Sequence, residues 1–166
     1  MSGEAIGSVD RVRQVDVPPS ARALSTLTRI DYADTFLVDI GPLEVHTAEE
    51  WAREVLEGAP LAIRTKLLSG WSSIGLKVGT GPSDRSVLGW QVRRSTPEHV
   101  LLGADSRIGM PGELLFKKDG DTLLFATFVH HGNLIARGLW ARVEPAHVRI
   151  VRNILDQASR RLRVAD

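Results

Sequence analysis

Between Ser86 and His131 four segments alternate apolar and polar residues and are separated by three turn signals, the pattern of an antiparallel meander. Lys118-Asp119-Gly120-Asp121 is a two-residue hairpin signal. Its expected register pairs Phe116 with Leu123, Leu114 with Phe125 and Gly112 with Thr127. Opposed residues share a face, so Leu114, Phe116, Leu123, Phe125, Thr127, Val129 and His131 form the core side. The other side mixes Glu113, Lys117, Thr122 and His130 with Leu115, Leu124 and Phe128. A turn at Ser95-Thr96-Pro97 pairs Val92 with Val100, Trp90 with Leu102, Leu88 with Ala104 and Ser86 with Ser106, unless a bulge exchanges the faces.

Around the meander the periodicity changes. Val9 to Val17 reads as an edge strand or a wrapped arm, and after Pro18-Pro19-Ser20 the segment Ala21 to Ile30 predicts a short helix carrying Leu24 and Leu27. Thr35 to Ile40 predicts a strand closed by Gly41-Pro42. Thr47-Ala48-Glu49-Glu50 is a capping box, so a helix starts there, burying Trp51, Ala52, Val55 and Leu56 and ending at a left-handed Gly58. A second helix runs from Leu61 to Ser69, closed by Gly70, and Gly75 to Arg85 is a long loop. Asn133 to Val143 predicts another helix, which Pro145 breaks or kinks. From there Val148, Val151, Leu155, Ala158 and Leu162 form one stripe of a long amphipathic helix.

Composition narrows this picture. At 166 residues the chain predicts one domain, 31–166, preceded by a partly ordered arm, 1–30. Without cysteine there is no disulfide, thiolate metal site or thiol nucleophile. The net charge of +1 provides no field toward nucleic acid or an anionic membrane, so neither is an expected partner. Lacking a signal-peptide pattern and any apolar run of spanning length, the sequence predicts a cytoplasmic protein.

A sheet with one apolar face followed by one long amphipathic helix buries both by laying the helix across the sheet. That α+β arrangement resembles the helix-grip fold of the START and Bet v 1-like superfamily, which includes polyketide cyclases. Within it, Asp31-Tyr32-Ala33-Asp34, Ala48-Glu49-Glu50-Trp51, Leu88-Gly89-Trp90, Ala126-Thr127-Phe128-Val129 and Pro145-Ala146-His147 resemble a bacterial family of uncharacterised proteins, over Asp31 to Arg161. The resemblance implies a cavity between sheet and helix that takes apolar or amphipathic small molecules, sometimes with catalysis added.

The expected register gathers Ser86, Ser106, Thr127 and His131 near one end of the apolar face, with Trp90 at its middle and Phe125 in its wall. These six are the candidate ligand contacts. A Ser-His nucleophilic pair lacks an orienting carboxylate and a nucleophile elbow, and Asp105 with His130 falls on the outer face. His130 and His131 point to opposite faces and the other histidines are isolated, so no metal or cofactor is expected. His147 reads as a structural histidine against Trp140 or the sheet, and Asp31 to Asp34 as residues bonded locally. The arginines at 160, 161 and 163 read as a solvated helix face. The leading expectation is a binder of an apolar or amphipathic ligand. The alternatives are a cyclase- or hydrolase-type enzyme using polar cavity residues, and an interaction module. In the last, Leu101, Leu115, Leu124 and Phe128 on the outer face dock a partner or a second copy as a homodimer.

Overall fold

A computed structural model describes residues 11–39, 46–79 and 83–165, with side chains through Arg161. The expected features at Val9, Ile40, Gly41-Pro42 and 80–82, and the side chains of Leu162 and Arg163, lie outside them.

The elements are β1 (Val12–Val15), α1 (Pro19–Arg22), β2 (Tyr32–Asp39), α2 (Ala48–Leu56), α3 (Leu61–Ser73), β3 (Ser86–Val87), β4 (Trp90–Ser95), β5 (His99–Ala104), β6 (Gly112–Asp119), β7 (Thr122–Val129) and α4 (Leu134–Ala165). All strands join one antiparallel sheet of seven, ordered β1-β2-β7-β6-β5-β4-β3. The long helix lies against β1, β2 and α2 on one face, the helix-grip arrangement expected from the alternation and the terminal stripe. Among the described residues no helix is long and apolar enough to cross a membrane.

The inner core joins Phe36, Val38, Leu114, Phe116, Leu123 and Phe125 of the sheet to Trp51, Val55 and Leu56 of α2 and to Val151, Ile154, Leu155 and Ala158 of α4. Period-two alternation therefore assigned the β6 and β7 faces correctly, although the hairpin pairs differently. Gly120, at φ 63°, occupies the first loop position and Asp119 pairs with Thr122, so Phe116 faces Phe125 and Leu114 faces Thr127. The pairing moves by two residues and parity is kept.

The β4–β5 hairpin carries a bulge between Val92 and Arg94, with Val92 opposite Leu102. Leu88 and Gly89, at φ 46° and 88°, make a tight turn that folds Ser86 back onto Gln91. Positive φ at both central residues matches a twisted two-residue hairpin. Ser86 therefore does not face Ser106, and Leu88 is a turn residue rather than a strand partner of Ala104.

The capping box forms as expected: Glu50 N–H donates to Thr47 Oγ1 at 3.2 Å and Thr47 N–H to Glu50 Oε1 at 2.8 Å. Helix α2 ends without a left-handed Gly58, whose lack of a Cβ instead admits the Glu54 carbonyl. Helix α3 continues through Gly70 because Trp71 beyond it packs edge-on against Trp90, ring centres 5.4 Å apart. It stops at Gly75, φ 87°, where Gly75 N–H donates to the Ser72 carbonyl and Leu76 N–H to that of Trp71, a Schellman closure. Pro145 does not break α4, which is one helix of 32 residues capped by the Asn133 side chain on Ala136 N–H.

The segment 21–30 is not a helix beyond Arg22. Ser25 and Thr26 instead bond to Glu113, and Leu24, Leu27 and Ile30 cover the sheet's outer face. Leu101, Leu115, Leu124 and Phe128, expected as an exposed docking surface, are at most 2 % exposed beneath this arm. The arm thus gives the sheet a second, smaller core.

Candidate functional site

Sheet, α3 and α4 do not fill the space between them. A cavity of about 360 Å³ remains, within the range of small-molecule sites. Its floor is Trp90, Gly112, Leu114, Phe125, Thr127 and Val129; Leu67 and Trp71 of α3 form one wall, and Trp140, Val143, Ala146 and His147 of α4 the other. Inward-facing strand residues alternate with the outer core, so the floor is apolar except for Thr127.

Of the six sequence-derived contacts, Trp90, Phe125 and Thr127 line this cavity. Trp90 and Thr127 are each 3 % exposed, and among the described residues Trp90 Nε1 and Thr127 Oγ1 have no hydrogen-bond partner. Buried polar groups are normally paired, so these two are exceptions within the cavity floor.

Ser86, Ser106 and His131 do not line the cavity. Ser86 is held in the β3 turn, where its carbonyl accepts from Arg53 at 3.0 Å. Ser106 bridges to Leu76, and its hydroxyl accepts from Ile108 N–H at 3.1 Å. His131 lies past the end of β7, its N–H donating to Asp31 Oδ2 at 2.6 Å and its carbonyl accepting from Arg29 at 3.1 Å. Burial pushes its imidazole down from the ordinary value, against the pull of Asp31. Nor do Asp105 and His130 meet: Asp105 pairs with Arg93 at 3.1 Å and His130 with Asp31 at 3.0 Å.

Behind His147, which lines the cavity, stand residues the sequence presented as structural. Asp34, opposite Thr127 on β2, is 3 % exposed. Its Oδ2 accepts the Tyr32 hydroxyl at 2.6 Å and lies 3.0 Å from His147 Nε2, while Oδ1 is buried without a partner among the described residues. A carboxylate oxygen can only accept, so Nε2 of His147 carries the proton and Nδ1 keeps its lone pair in the neutral ring. Tyr32 and His147 both pack against Trp140, at 5.0 Å and 5.1 Å. The expected contacts of His147 with Trp140 and the sheet are thus present, and the ring also lines the cavity. Burial, then the bond to Asp34, drives the Tyr32 phenol well above its ordinary range. Asp34 and His147 are 113 positions apart; only the inward parity of Asp34 on its strand hinted at the pairing. Among the described residues no group of three or more metal-binding side chains forms.

Asp31 serves the strand end instead. The His131 N–H holds its carboxyl at about 2, against an ordinary 3.8, with Arg29 assisting and desolvation opposing. A carboxyl depressed in the folded state stabilises above its unfolded value, and the contribution is lost as pH falls through the folded one. Between about pH 4 and pH 2 the natural protein is expected to lose stability that Asp31→Asn has already forfeited. Urea midpoints for the two should converge across that window, and parallel curves would contradict the assignment.

No protein-family model and no curated protein matches the chain. Among solved structures it is similar to CalU16 from Micromonospora echinospora, at 10 % identity and a TM-score of 0.33 over 80 % of this chain and 88 % of that one.

Proposed function

We propose that this protein holds an apolar or amphipathic small molecule between the sheet and α4. The observation that supports the reading most is the apolar cavity of about 360 Å³ bounded by the sheet, α3 and α4. The apolar body of a ligand there would displace water from these walls. The test is titration with the neutral fluorophore N-phenyl-1-naphthylamine, read by its own emission and by tryptophan quenching, since Trp71, Trp90 and Trp140 all line the site. Saturable binding is expected, and Ala146→Phe, which places a ring in the void, should abolish it without unfolding the protein. Unchanged binding in that variant would overturn the reading.

Asp34 and His147 favour a second reading, a cyclase- or hydrolase-type enzyme. A buried carboxylate that fixes the tautomer of a cavity-lining imidazole is the arrangement of a general base. Mass spectrometry of a ligand that co-purifies, before and after incubation with fresh protein, separates the two: a changed mass supports catalysis and an unchanged one binding alone.

A further inference from the structure

The charges around the cavity are not distributed like those of the whole chain, which carries 21 basic and 20 acidic residues. Among the described residues no acidic side chain lines the cavity, whereas Lys66 and Arg142 do. They project from the two helices that face each other across it, α3 and α4. Helix α3 has Arg64 and Lys66 and no carboxylate; α4 up to Val143 has Arg137 and Arg142 and none. Neither helix has an acidic residue in its first turn. Lys66 and Arg142 are exposed, and among the described residues neither has a hydrogen-bond or ion-pair partner.

We infer that the ligand is a carboxylate amphiphile, its apolar chain among Trp90, Leu114 and Phe125 and its head between Lys66 and Arg142. This rests on the cavity reading above and adds the head-group chemistry. The opposite orientation fails on electrostatics. A carboxylate carried inward would be desolvated among apolar walls, with the buried Asp34 carboxylate behind His147 opposing its charge. At the mouth the head keeps part of its hydration and meets two exposed cations that line the cavity.

Decanoate and 1-decanol, which differ only in the head, are titrated as competitors of N-phenyl-1-naphthylamine against the natural protein and a Lys66→Ala/Arg142→Ala variant. Both positions are exposed, so the fold should persist, and the fluorophore's own affinity is measured for each protein as the reference for its competitors. Decanoate affinity should fall roughly tenfold, about 1.4 kcal/mol, and decanol affinity by less than about twofold. Raising salt from about 0.01 M to about 1 M should weaken decanoate alone. Equal effects on both competitors, or none, would overturn the carboxylate assignment while leaving the cavity intact. Failure of the fluorophore itself to bind would remove both. Should the double substitution instead abolish sedimentation with phosphatidylglycerol vesicles, with decanoate never displacing the fluorophore, the cations belong to a membrane-facing surface and the inference is wrong.

Discussion

Glu113→Ala is expected to destabilise the protein by about 3–5 kcal/mol, the range for removing one partner from a buried charged cluster. The Glu113 side chain is fully buried. It accepts from Ser25 Oγ at 2.5 Å, from Thr26 N–H at 3.1 Å on both oxygens and from the Thr26 hydroxyl, with Arg93 Nη1 at 3.7 Å. Removing the carboxylate strands these donors and unfastens the arm. Val17, Leu24, Leu27 and Ile30 of the arm pack against the cluster of Leu101, Leu115, Leu124 and Phe128, so the variant should also expose an apolar sheet face. Three readouts follow: a lower urea midpoint, faster tryptic cleavage at Arg22 and Arg29, and concentration-dependent association in light scattering. Lost stability without faster cleavage would show that the arm is held by its apolar contacts rather than by Glu113.

Asp34→Ala should cost about 2–4 kcal/mol, from two hydrogen bonds to a charged acceptor and a Tyr32 hydroxyl left without its partner. Loss of the unpaired Oδ1 offsets part of this, which keeps the figure below that for Glu113. A spectroscopic consequence is more specific. The chain has a single tyrosine, so alkaline absorbance titration follows Tyr32 alone. Its phenol is pushed up first by burial and then by Asp34. Removing Asp34 should therefore bring its ionisation down towards the ordinary range, with burial keeping it above 10.0. An unmoved titration in a variant still folded by circular dichroism would mean that burial alone sets the phenol.

What the sequence determined by itself was whatever depends on near neighbours or on parity. The Thr47–Glu50 box forms because both partners sit within one turn. The inner face of β6 and β7 follows from alternation alone, which is why it survived a pairing moved by two residues at Gly120. The stripe of α4 through Val151, Leu155 and Ala158 likewise needs only helical period. Gly70 and Pro145 show where local propensity yields. A glycine costs a helix about 1 kcal/mol, and the Trp71 contact with Trp90 lies beyond it.

The tertiary structure alone decided the rest, since the decisive partners are far apart in the chain. Ser25 and Thr26 stay out of a helix because a carboxylate 88 and 87 positions away takes their donors. Ser86 leaves the site because Leu88 and Gly89 turn the chain back. Asp34 and His147 meet because β2 lies beside β7 and α4 crosses that end of the sheet, a juxtaposition no spacing rule encodes. The apolar wall was therefore written in the chain's periodicity. The polar groups that face it were selected by long-range packing, which satisfies buried hydrogen-bonding atoms irrespective of sequence distance.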